Sequence, residues 1–176
     1  MYKRQDDNVI TNKEEVCGDF EKLINLQLKE KHPKSWMRAF FNMGLINYIE
    51  GSRRMLPCQA GEMNFFVEPY GDIYPCNGLE KKYWKKSMGN IRETPNFKEI
   101  WEGEQAEQVR QMVRRCPKNC WMVGTASPVM HKYIKYPLKW ALKNKLRSLQ
   151  GKTACLDKCW YNVGQDPSQG DLREVF

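Results

Sequence analysis

Four cysteines in two pairs constrain this 176-residue chain more than any other feature. Seventeen residues lie between Cys58 and Cys76, and three between Cys116 and Cys120. The longer gap contains a turn signal, Glu68-Pro69-Tyr70-Gly71, with proline and glycine at suitable offsets. Before it, Met63, Phe65 and Val67 alternate with Asn64, Phe66 and Glu68, as in a strand. After it, Ile73-Tyr74 begins a return strand that Pro75 ends, so the segment predicts a β-hairpin. The arms are unequal, and the longer one needs a bend near Gly61 to bring Cys58 and Cys76 to one point. The second pair follows a helix predicted over about 104–115, where a C-x3-C loop can set both sulfurs on one side. Four convergent thiolates suit an iron–sulfur cluster or tetrahedral zinc. The spacings differ from the two C-x2-C knuckles of a zinc ribbon. The plainer alternative is four buried thiols, since free cysteine packs as a small hydrophobe.

Composition narrows the setting. Seven cysteines are too sparse for a disulfide scaffold, and the opening MYKRQDDNVITNKEE has no apolar run of a secretory signal. A cytoplasmic chain with reduced thiols is the expectation. No apolar run approaches the roughly 18 residues of a membrane span; the most apolar stretch, Trp36 to Ile49, is interrupted by Arg38, Asn42 and Asn47. The net charge of +8 is uneven: residues 1–127 carry 20 basic against 17 acidic residues, whereas 128–152 carry seven basic and no acidic ones. A single basic segment argues against a general nucleic-acid binder.

The remaining pattern is helical. Thr11 and Glu14 fit a capping box for a helix over about 13–30, with Val16, Phe20, Leu23, Ile24 and Leu28 at helical spacing. Ser35 can cap a second helix over about 36–50, ended by Gly51. Residues 79–90 read as a charged loop, and Pro95 opens a short helix with Phe97, Ile100 and Trp101, stopped by Gly103. On the 104–115 helix, Ala106, Val109 and Val113 should face inward and Arg110, Arg114 and Arg115 mostly outward. Residues 128–150 read as one long basic helix, and the tail from Gly151 as irregular. The fold class is α+β. The expected organisation is a helical segment over 1–51, a hairpin-and-helix cluster domain over 52–127, and a basic helix with its tail over 128–176.

The string Cys58, twelve residues, Gly71, four residues, Cys76 resembles the opening of the SPASM/twitch domains that follow the barrel in radical S-adenosylmethionine enzymes. The hairpin text FFVEPYGDIYPCNG, the stretch SMGNIRETPNFKEIWEGEQAEQVR and the closing CPKNCWM are similar to that family as well. The resemblance is strong over about 52–125. It implies an auxiliary [4Fe–4S] cluster held by Cys58, Cys76, Cys116 and Cys120, supporting electron transfer or substrate binding in an oxidoreductase-like enzyme. The C-x2-C-x5-C-x3-C run of full SPASM domains is absent, which resembles the shorter, one-cluster twitch form. The C-x3-C-x2-C motif that holds the S-adenosylmethionine cluster is also absent: Val123 and Asn162 stand where its third cysteine would be. The resemblance therefore implies a missing N-terminal barrel as partner, with S-adenosylmethionine entering only through it, and a peptide or small molecule as substrate. The opening MYKRQ resembles translated sequencing-adapter read-through, so an N-terminally truncated fragment is expected, and no catalytic residue is assigned in this chain.

Other candidates carry less. Cys155 and Cys159 repeat the C-x3-C spacing and form a second-tier metal or redox pair. Cys17, His32 and His131 read as structural or surface residues. The basic helix, with Lys132, Lys135, Lys139, Lys143, Lys145 and Arg147, could meet an anionic membrane surface or an acidic partner. The alternative function is a zinc-stapled binding module that uses this helix for such a partner.

Overall fold

The computed structural model describes residues 10–76, 86–116 and 118–156. The start of the chain with MYKRQ, most of the charged loop at 79–85, and the tail from 157 with Cys159 lie outside the described residues. The fold is α+β, with six helices and one three-stranded antiparallel sheet among the described residues. The chain divides into two compact units; among the described residues it passes from one to the other at Arg53/Arg54 and at Ile134/Lys135.

The first unit holds α1 (Lys13–Lys29), α2 (Pro33–Ile49) and α6 (Lys135–Leu149), which pack on one another. α1 has its N-cap at Asn12, one residue after the expected Thr11; the Asn12 side-chain amide donates to the Glu15 carboxylate, and its side chain accepts no backbone N–H. α2 begins at Pro33, not near Ser35, because proline at the first helical position gives up no needed donor. Its buried face is Ala39, Phe40, Asn42, Met43, Ile46, Asn47 and Ile49. The two asparagines that interrupt the apolar pattern thus face inward. Each keeps a partner: Asn42 donates to Gln27 Oε1 at 2.9 Å and Asn47 to the Arg53 carbonyl at 2.7 Å.

The expected helix over 128–150 is two helices, α5 (Val123–Lys132) and α6. Pro137 explains the break, since it has no N–H to give the Tyr133 carbonyl and is tolerated in the first turn of a new helix. α6 turns Pro137, Trp140, Ala141 and Asn144 inward, while Leu138, Leu142 and Leu146 are exposed. Trp140 meets Phe40 edge to face at 5.6 Å between centroids. Lys145 Nζ donates to the last carbonyls of the α1 end, Leu28, Lys29 and Glu30, the placement that helix C-termini favour for a cation. No described helix is long and apolar enough to cross a membrane.

The second unit holds the sheet, α3 (Phe97–Glu102), α4 (Glu104–Arg114) and α5. β1 (Phe66–Val67) pairs with β2 (Asp72–Tyr74), with Phe66 opposite Tyr74 and Val67 opposite Ile73. The turn forms where the sequence places it: the Gly71 N–H donates to Glu68 O at 2.9 Å, and the Glu68 N–H to Asp72 O at 2.8 Å. Gly71 has φ +93, a conformation that side chains resist. A third strand, β3 (Gly89–Asn90), adds to β2 and was not expected, because two residues are too few to show alternation. The small core beneath is Ala60, Ile73, Met88, Ile100, Ala106, Val109 and Val113. The inward face expected for α4 is therefore correct. Arg110 departs from its expected outward place; its side chain is 11% exposed.

Candidate metal centre

The hairpin carries its two cysteines onto one small core. Cys58 and Cys76 both pack against the cluster of Ile73, Met88, Val109 and Val113. The longer arm takes up its extra length in a loop at 59–64. There Glu62 and Met63 N–H donate to Gln59 O, and Gly61 N–H donates to Asn64 O at 2.8 Å, which is the bend expected near Gly61. Asn64 then ties the arms together by donating to Pro75 O at 3.2 Å, one residue before Cys76.

α4 delivers the second pair. Its last turn buries Val113 in the same core, and the Cys116 N–H closes that turn onto Val113 O at 3.0 Å. Arg110, one turn earlier, points back over the loop. It donates to Gly61 O at 2.8 Å and to Trp101 O, and its guanidinium lies 4.8 Å from the Trp101 ring centroid. Arg110 thereby ties α4 to the bend that positions Cys58.

Burial raises the Cys116 pKa above the ordinary thiol value, a backbone hydrogen bond from Lys118 opposes this, and the Cys58 and Cys120 charges add to the rise. Burial likewise raises Cys120, opposed by the Arg54 guanidinium and reinforced by Cys58. The chain alone thus favours neutral thiols here, and a cationic centre would draw off their protons. Cys58 and Cys76 lie against the small core that Val113 joins, and Cys116 follows the last turn of α4 beside it. Among the described residues, no three His, Cys, Asp or Glu side chains stand close enough as placed to hold a metal ion. An all-sulfur donor set, desolvated and mutually repelling once ionised, fits an iron–sulfur centre chemically.

Residues 58–122 match the model of the SPASM family, an iron–sulfur cluster-binding domain. This segment is a SPASM domain. The match begins on Cys58 and ends two residues after Cys120, so it encloses both cysteine pairs. No curated protein and no solved structure matches the chain. The SPASM domain falls within the second compact unit, Arg54–Ile134 among the described residues.

Arg54, four residues before the SPASM match, is the residue that sequence reading missed. It is 5% exposed. Its Nε donates to Leu56 O at 2.9 Å, Nη1 to Cys120 O at 2.5 Å and Cys120 Sγ at 3.8 Å, and Nη2 to Thr125 O at 3.3 Å. Nothing in Arg53-Arg54 marks one arginine as buried. The only hint is that Arg54 precedes the first cysteine by one short loop.

The secondary candidates lie elsewhere. Cys155 is in the first unit, its N–H bonded to Asn144 Oδ1 and its carbonyl to the Trp140 indole N–H. Cys17 is half-buried on α1, His32 is the N-cap of α2, and His131 is exposed near the end of α5.

Proposed function

We propose that Cys58, Cys76, Cys116 and Cys120 hold one [4Fe–4S] cluster in the SPASM domain, as an auxiliary centre of a radical S-adenosylmethionine oxidoreductase-like enzyme. The observation that supports this reading is the SPASM match over residues 58–122, which encloses both cysteine pairs. When bound, such a cluster supplies a one-electron redox centre. The chain's own part is positional. The Asn64–Pro75 tie keeps the hairpin arms together, Arg110 fixes the Gly61 bend against α4, and Lys118 offers a backbone N–H toward Cys116. The small apolar core backs the half-buried Cys58 and Cys76 on one side. S-adenosylmethionine belongs to a barrel bearing the C-x3-C-x2-C motif, which this sequence does not contain. The substrate, a peptide or small molecule in this reading, would meet that barrel.

Anaerobic reconstitution with iron and sulfide tests the ligand assignment. The expected product carries about four iron and four sulfide per chain and an EPR signal on reduction. Purified protein holding about one zinc, and taking up neither iron nor sulfide, would establish the stapled module instead.

A further inference from the structure

We infer that Arg54 is a positioning residue for the cluster and that its guanidinium, held against the Cys120 sulfur, makes the cluster easier to reduce. The inference rests on the reading of Cys120 as a ligand.

The side chain is buried and its direction is fixed from three places in the chain. Carbonyls of Leu56, Cys120 and Thr125 each take one of its N–H groups, and the Trp121 ring lies beneath it at 5.4 Å from the guanidinium carbon. Trp121 is itself buried. A guanidinium is charged at any working pH and presents its donors in a rigid fork. With Nε, Nη1 and Nη2 held by the carbonyls, the fork cannot rotate away, and Nη1 rests 3.8 Å from Cys120 Sγ. The contact is therefore set by the backbone around it.

Its consequence is electrostatic. Reduction adds one negative charge to a sulfur-bound centre. A fixed positive charge beside a ligand sulfur stabilises that added charge more than it stabilises the oxidised form, and shielding from water makes the effect larger. Hydrogen bonds to the sulfurs are among the levers that set cluster potentials. Lys118 acts on both members of the C-x3-C pair, and the Arg54 guanidinium stands within hydrogen-bonding reach of the Cys120 sulfur. Arg54 is thus the buried, fixed charge of this site, and it biases the centre toward accepting an electron.

The test uses the full chain, reconstituted anaerobically as wild type, Arg54→Gln and Arg54→Lys, with redox titration followed by EPR. Gln keeps a donor and removes the charge; Lys keeps the charge and loses the fork. The expected result is wild-type iron and sulfide content with a more negative midpoint in Arg54→Gln, and a smaller shift in Arg54→Lys. At a fixed poise the reduced-to-oxidised ratio should fall about tenfold in Arg54→Gln, which is about 59 mV for a one-electron couple. An unchanged midpoint at wild-type metal content overturns the role of Arg54 and leaves the cluster assignment standing. Failure of the wild type to take up iron overturns the cluster assignment, and this inference with it. Should neither variant load a cluster, wild type grown with guanidino-15N arginine decides. A 15N coupling to the reduced centre in pulsed EPR supports the contact, and its absence overturns it.

Discussion

At Gly89 one missing carbon decides whether the sheet can lie on α3. A Cβ built there would stand 2.6 Å from Ile100 Cγ2, well inside van der Waals contact, and φ is +150. Gly89→Ala should therefore cost about 1–3 kcal/mol. Urea unfolding checks this, and pairing it with Ile100→Ala should give less than the sum of the two single effects, because the smaller side chain relieves the clash. Arg110 carries a different load. Replacing it with Met keeps much of the stem but removes the donors to Gly61 O and Trp101 O and the charge over the indole. The expected loss is about 2 kcal/mol in the same assay. Neither residue was readable as special. A glycine before an asparagine looks like a turn, and an arginine in a helix with its apolar stripe at Ala106, Val109 and Val113 looks like solvent-facing charge.

At the scale of elements, α6 shows how a polar residue can hold a segment in place. Asn144 is fully buried; its amide donates to Trp140 O at 3.1 Å and its oxygen accepts the Cys155 N–H at 2.7 Å. The Trp140 indole closes the loop by donating to Cys155 O. Asn144→Ala should destabilise the protein by about 1–3 kcal/mol, by leaving a buried N–H without its acceptor. Limited proteolysis should then cut first near Thr153–Cys155. The helices themselves were legible, because residues such as Ala106, Val109 and Val113 recur at i, i+3 and i+7, a spacing that would split them between the two faces of a strand. The hairpin was legible because proline and glycine punctuate it at 69 and 71. What periodicity could not give was which face turns inward when both faces carry apolar residues. On α6 the leucines at 138, 142 and 146 stay out while Trp140 goes in. Nor could it give the break before α6, which depends on one missing donor at Pro137.

At the scale of the whole molecule, the cysteines among the described residues separate by unit. Cys58, Cys76, Cys116 and Cys120 all lie within Arg54–Ile134, whereas Cys17 and Cys155 lie in the other unit. Cys17→Ala and Cys155→Ala should accordingly retain wild-type iron and sulfide after reconstitution. The hairpin and the helix end that carry the two cysteine pairs were the part that spacing could express, since both are local structures. Arg54 was not, because its role comes from acceptors at positions 56, 120 and 125 that only the folded chain assembles. The most direct check on a shared centre is the iron and sulfide content, with the reduced EPR spectrum, of Cys58→Ala and Cys116→Ala beside wild type, all reconstituted anaerobically. One cysteine is thereby removed from each pair. Loss of the wild-type signal and stoichiometry in both variants is the predicted result; full wild-type content and an unchanged spectrum in either would contradict a cluster bridging the two pairs.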